Sequence, residues 1–198
     1  LARSLAEALG WSVVETGTPY RALGAAVVTH GVDPRDEGQV LEVLQKLQRT
    51  DGLGVRPDSD ETEEVAAIAA QHPTVRRQIT AWLRDEIERV KQVEEGVLVV
   101  GRDAGGTIVP RPAVAFVLEA AAEVRARREM RRLGTWTDAA GSRAGMKRTE
   151  SEAPGRDAVD AAVRAPDPAS GVATIVLDTS EMSPEEVLAR VLAVLSSG

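Results

Sequence analysis

Apolar positions recur along this chain in two rhythms, one helical and one continuous. Leu1, Leu5, Ala8 and Leu9 share a helical face and Gly10 follows as a stop, which predicts a helix over 1–10. No cap, proline or acidic first turn precedes Leu1, so the pattern opens in mid-helix. Trp11–Thr16 (WSVVET) predicts a short buried strand leading into Gly17-Thr18-Pro19-Tyr20-Arg21. Helical patterns follow over Arg21–His30, Gly38–Gln48, Glu61–Gln71 and Pro73–Val93. The turn signal Gly31-Val32-Asp33-Pro34 separates the first two, and His72-Pro73 breaks the last two. Thr50–Asp60 (TDGLGVRPDSD) is rich in Gly, Asp and Pro and is expected to be a loop.

The clearest strands come next. Gly96–Val100 (GVLVV), Ala113–Leu118 (AVAFVL) and Ala173–Leu177 (ATIVL) are apolar throughout rather than alternating, as in parallel sheets covered on both faces. An Arg-rich helix is expected over Ala120–Leu133, and 134–171 is mixed and polar. Pro184–Leu195 reads as an amphipathic closing helix, with Ser183 as N-cap, Pro184 at the first position and Glu185 and Glu186 in the first turn. Strand–helix alternation of these lengths predicts an α/β fold, a doubly wound parallel sheet in a single domain spanning 1–198.

Composition narrows the function. The chain has 198 residues, 43% apolar and 28% charged, which argues against wholesale disorder. No apolar run approaches the roughly 20 residues of a membrane-spanning helix. Cysteine is absent, which removes disulfide scaffolds, thiol nucleophiles and zinc–thiolate sites. With His30 and His72 as the only histidines, no protein metal centre is expected. No export signal is visible, so the expected location is the cytoplasm.

Net charge is −7, which disfavours a nucleic-acid-binding surface. The balance is uneven, however. Arg125–Arg164 holds nine Arg and one Lys against six acids, a local +4 that leaves −11 for the rest. An arginine-dense segment in an acidic protein suits a polyanionic small molecule, because guanidinium grips phosphate oxygens in a bidentate way. The preponderance of Arg over Lys also fits a GC-rich genome.

In open α/β sheets the ligand lies beyond the carboxyl ends of the strands. The residues there are Glu15, Thr16, Gly17, Tyr20 and Arg21; Arg102 and Asp103, amid Gly101, Gly105 and Gly106; and Asp178, Thr179 and Ser180. Arg102-Asp103 also fits a local ion pair closing a strand, and Arg21 a solvated helix start. Two arginines at separate strand ends, with the arginine-dense segment following, favour phosphate.

These residues resemble the bacterial cytidylate (CMP) kinases, P-loop nucleoside monophosphate kinases. The resemblance rests on five short motifs in the family's order. Glu15-Thr16-Gly17-Thr18-Pro19-Tyr20-Arg21 is similar to its acidic-Ser/Thr-Gly-x-x-Tyr-Arg stretch. Gly101-Arg102-Asp103-Ala104-Gly105 matches Gly-Arg-Asp-x-Gly, with Pro110 and the next strand after it. Glu123-Val124-Arg125-Ala126-Arg127-Arg128 matches the lid helix, and Arg156-Asp157-Ala158-Val159-Asp160 with Arg164 the lid return. Leu177-Asp178-Thr179 and Ser183-Pro184-Glu185-Glu186-Val187 match the closing strand and helix.

The resemblance implies a doubly wound sheet with a helical lid at about 125–165. It implies that Thr16, Arg21, Arg102 and Asp103 contact the nucleoside monophosphate. It places Arg156, Asp160 and Arg164 on CMP or on lid closure, and Arg127, Arg128, Arg131 and Arg132 near the ATP phosphates. Arg128 and Arg156 are the implied catalytic arginines. ATP is the implied donor, with Mg²⁺ on its phosphates, CMP or dCMP the acceptor, and a monomer the working form, with neither nucleic acid nor membrane as partner. Phosphoryl transfer crowds negative charges together, and arginines on a closing lid neutralise them while excluding water. Asp103 or Asp160 can accept from a cytosine amino group or a ribose hydroxyl. Asp160 and Arg164 also fit an exposed i,i+4 helix pair.

The sequence departs from the family's pattern in three places. No Gly-x-x-x-x-Gly-Lys-Ser/Thr loop occurs in these residues, nor the strand before it. The chain as given is therefore expected to lack useful kinase activity without an upstream P-loop, and its sheet to lack the first strand. The segment at about 50–65 is shorter than the family's substrate insert, with Glu61-Thr62 where Arg-Thr stands in the family and Arg56 as a possible substitute. The segment from Gly134 to Pro154 matches poorly. A non-catalytic nucleotide-binding or structural relative therefore stands as the alternative, and a kinase for another monophosphate as a third reading.

Overall fold

The computed structural model describes residues 1–50, 60–101, 104–132 and 171–196. The order is α1 (Ala2–Leu9), β1 (Ser12–Glu15), α2 (Thr18–His30), α3 (Glu37–Arg49), α4 (Asp60–Ala69), α5 (Pro73–Lys91) and β2 (Val97–Val100). One turn of π-helical backbone (Ala104–Ile108) precedes β3 (Val114–Glu119), α6 (Ala122–Arg132), β4 (Ala173–Asp178) and α7 (Pro184–Leu195). Strand–helix alternation is thus observed, and the fold is α/β. The chain forms two compact units, one from Leu9 to Ala104, the other from Leu1–Ala8 and the chain from Gly105 onward. The loop expected at Thr50–Asp60 and most of the expected lid lie outside the described residues.

In the first unit β1 and β2 pair in parallel, from Ser12 opposite Val97 to Glu15 opposite Val100. Glu94 sets the start of this pairing: its carboxylate accepts from Ser12 N (2.6 Å) and Ser12 Oγ (2.6 Å). Among the described residues, four helices lie between these strands. α2 begins at Thr18, earlier than the sequence pattern suggests, because Pro19 lies in its first turn with φ already set for a helix. It ends at Gly31, whose φ of +63° lets its N–H reach back to Val27 and Val28 carbonyls. Asp36 caps α3 by accepting from Gln39 N at 3.1 Å. His72 Nε2 lies 2.9 Å from the Pro34 carbonyl, joining the α4–α5 junction to the α2–α3 loop. Val75, Ile79, Leu83 and Ile87, four apart, line the buried face of α5. With Leu23, Val27, Val40 and Leu44 they make the core of this unit. Gly24 is the close-approach point between α2 and α4: a Cβ there would lie 2.5 Å from the Thr62 carbonyl and 2.8 Å from Ala66 Cβ.

In the second unit β3 and β4 are again parallel, from Val114 opposite Ala173 to Glu119 opposite Asp178. Ser183 caps α7 as expected, and more fully. Its Oγ accepts from Glu186 N (3.2 Å) while its own N–H donates to Glu186 Oε2 (2.7 Å), a reciprocal capping box.

All described strand pairs are parallel, as the apolar runs predict. Burial on both faces is not observed. Among strand residues only Val14 and Leu177 are buried, whereas Leu118 and Val176 are 45% and 57% exposed. The described strands form two two-stranded pairs.

Candidate functional site

The parallel register of β1 and β2 brings their carboxyl ends together. Thr16 N donates to the Val100 carbonyl at 2.9 Å, extending the pairing one step beyond the strands. Thr16 is 3% exposed. Gly101 lies directly against it: a Cβ on residue 101 would fall on the Thr16 hydroxyl. Glycine is therefore demanded by close approach, and Thr16 functions as the floor under the backbone that runs on into Arg102 and Asp103. Those two residues lie outside the described ones.

Arg21 completes this edge from the first turn of α2. Its Nη2 lies 3.1 Å from Glu15 Oε2 and 3.2 Å from Thr18 Oγ1. The guanidinium folds back over Gly17, where a Cβ would come within 2.9 Å of Nη1. Glu15, Thr16, Arg21 and Gly101 thus meet at one strand edge, a cation over a floor of backbone. Both ends of the Glu15–Arg21 pair remain partly open to solvent, so an incoming phosphate can compete for the guanidinium. Thr62 is 2% exposed, inside α4 against Gly24.

At the carboxyl ends of β3 and β4 a second network is built. Thr179 N and Thr179 Oγ1 both donate to the Glu119 carbonyl, at 2.8 and 2.9 Å. Asp178 Oδ1 accepts from Ser180 N (2.9 Å) and Ser180 Oγ (2.6 Å), and Ser180 Oγ accepts from Ala121 N at 2.9 Å. The Ser180 hydroxyl and backbone donors hold the Asp178 carboxyl below the usual carboxylate range.

The implied ATP-binding arginines are placed differently from one another. Arg127 and Arg131 are exposed on α6, one turn apart. Arg128, exposed as well, donates to Thr179 Oγ1 (2.8 Å), the Thr179 carbonyl (2.5 Å) and the Met182 carbonyl (3.1 Å). The Arg132 side chain, and Arg156, Asp160 and Arg164 altogether, lie outside the described ones. Among the described residues no group of three His, Asp or Glu could hold a metal ion, and no helix is long and apolar enough to cross a membrane.

Three features of the two units are not apparent from the sequence pattern alone: the Glu94 clamp on Ser12, the ion pair from Glu15 to Arg21, and the Arg128 contacts. Each joins groups from separate parts of the fold or depends on a rotamer, so spacing carries no signal for it. The capping box is the opposite case, since Ser183 and Glu186 stand at the required i,i+3 spacing.

Comparison with known proteins agrees with the geometry. The family model described as cytidylate kinase matches residues 1–197. The cytidylate kinase of Rhodospirillum rubrum is 32% identical over 197 residues, covering 99% of this chain and 90% of that protein. The cytidylate kinase of Pectobacterium atrosepticum is 32% identical over 204 residues (98% of this chain, 88% of the relative). That of Caldanaerobacter subterraneus is 30% identical over 196 residues (96% and 86%). A match running the length of the chain, on a fold whose strand ends carry the glycine, threonine and arginine of the motifs, shows that this protein belongs to the cytidylate kinase family.

Proposed function

We propose that the protein transfers the γ-phosphoryl group of ATP to CMP or dCMP. The observation that carries this reading is the β1–β2 edge, where Thr16 lies beneath Gly101 with Arg21 at its side. An oxygen of the CMP phosphate attacks the γ-phosphorus in line. The bond from that phosphorus to the β–γ bridging oxygen breaks, giving CDP and ADP. Such a reaction needs positioning and neutralisation of charge more than covalent help from the protein.

In this reading Arg21 leaves its partial contact with Glu15 to hold the acceptor phosphate, and Arg102, carried on the Gly101 backbone, joins it. Asp103 and Asp160 accept from the cytosine amino group or ribose, and Arg156 and Arg164 close over the phosphates. Arg127 and Arg131 face the donor. Thr16, beneath Gly101 on the same edge, contacts the acceptor nucleotide with Arg21 and Arg102. Mg²⁺ bound with ATP neutralises charge on the donor phosphates. It would come with the ATP phosphates and would need no dedicated cage of protein ligands. The proposed architecture is the doubly wound sheet of the family, with the first strand having no counterpart in these residues, in one domain with a lid. We place the protein in the cytoplasm as a monomer acting on small nucleotides, without nucleic acid or membrane as partner.

The test is ADP release by the native full-length protein with CMP, dCMP, UMP or AMP as acceptor. CMP and dCMP are expected to be turned over far faster than AMP. Equal rates with AMP and CMP would overturn the cytidylate assignment, and nucleotide binding without turnover would leave the non-catalytic relative.

A further inference from the structure

We infer that Arg128 is a positioning residue, a latch that sets the rotation of α6, and not a ligand of the donor phosphates. The inference rests on the kinase reading above for its kinetic consequence, though not for its geometry. The guanidinium reaches three oxygens of the β4–α7 turn: Thr179 Oγ1 at 2.8 Å, the Thr179 carbonyl at 2.5 Å and the Met182 carbonyl at 3.1 Å. Thr179 is 5% exposed and is itself tied to the end of β3, through two donations to the Glu119 carbonyl. The hydroxyl donates once, to Glu119, and accepts once, from Arg128, so its capacity is used consistently. A planar fork fits two neighbouring acceptors on one turn in a way that a lysine ammonium does not.

The consequence follows from helical spacing. Ala126 and Met130 are buried, four residues apart, and form the stripe by which α6 rests on its unit. Arg127 and Arg131, also four apart, form a different and exposed stripe. Of this stripe only Met130 interlocks with its surroundings, because Ala126 offers little to resist rotation. Arg128, on a third side, pins the helix to the turn and so fixes where the Arg127–Arg131 stripe faces. Loss of the latch misplaces those arginines without removing their charge.

The experiment compares Arg128→Ala, Arg128→Lys, Thr179→Val and the Arg128→Ala/Thr179→Val double variant in the native full-length protein. Amide exchange over α6 and CMP phosphorylation are both measured. A latch predicts faster α6 exchange in Arg128→Ala and Thr179→Val, with α2–α5 unchanged. It predicts a fall in kcat of about 10- to 100-fold for Arg128→Ala with the KM for CMP unmoved. The double variant then adds little to Arg128→Ala, because both changes break one interaction, and Arg128→Lys does not rescue. A raised KM for ATP with α6 exchange unchanged, a silent Thr179→Val, or rescue by lysine would each overturn the latch. If the wild-type protein phosphorylates no acceptor, the kinase reading fails and the exchange measurement alone decides the latch.

Discussion

Arg21 and Glu15 approach to 3.1 Å at the carboxyl edge of β1, one from the first turn of a helix and the other from the last position of a strand. The pair is about a third exposed at both ends, so it is screened by water and contributes little to stability. Its value lies in orientation. Glu15 holds a cation at a strand end in a partly open state that a phosphate can take over.

Arg21→Ala is accordingly expected to raise the KM for CMP at least tenfold while shifting the unfolding free energy by no more than about 0.5 kcal/mol. Steady-state kinetics with varied CMP and a thermal melt together check it. A large loss of stability with an unchanged KM would make Arg21 structural.

Gly101→Ala forces a methyl group onto the Thr16 hydroxyl, between two backbones already hydrogen-bonded to each other. The expected cost is about 1–3 kcal/mol of stability, with loss of CMP binding, because the chain running into Arg102 must move. Combining the change with Thr16→Gly removes the atoms in the way. Partial recovery of the melting temperature in that double variant is the expected result.

Gly24→Ala tests the α2–α4 approach in the same manner. The added methyl would lie 2.5 Å from the Thr62 carbonyl and 2.8 Å from Ala66 Cβ. Backbone cannot yield as a side-chain tip can, so about 1–3 kcal/mol of destabilisation is expected, although alanine is the better helix former by roughly 1 kcal/mol. Urea denaturation distinguishes the two effects by sign.

Asp178 supplies a pH dependence. Donors on Ser180 hold its carboxyl below the usual carboxylate range in the folded chain. The unfolded chain therefore binds the proton more tightly. The stabilisation is present above the unfolded pKa and is lost as pH falls through the folded one. Melting curves from neutral to acid pH are expected to show wild type above Asp178→Asn near neutrality, with the gap closing at acid pH. A gap independent of pH would assign the effect to packing.

Much of the architecture is legible in the chain itself. Pro19, Gly31, Asp36, Pro73 and Ser183 act on their own backbone or on groups within one turn, and the helix boundaries they mark are local consequences. The same holds for the apolar runs of β2, β3 and β4, which mark these strands, and their pairing is parallel as expected. Which residues follow the carboxyl end of each strand is legible too, because strand direction alone assigns them there.

What tertiary structure decided is how those residues are packed and which oxygens their side chains meet. Thr16 and Arg21 both stand after β1, yet the threonine is buried under Gly101 and the arginine lies over Gly17 beside Glu15. Arg127 and Arg128 are exposed neighbours in an arginine-rich helix, and Arg128 is tied to Thr179 and Met182 across 51 and 54 residues. The physical reason is range. Helix caps and strand runs are set by interactions within a few residues, whereas the fate of a guanidinium depends on the oxygens that distant segments bring within about 3 Å. Thr179 is 51 residues from Arg128 and Glu94 is 82 from Ser12, and no local pattern encodes either meeting.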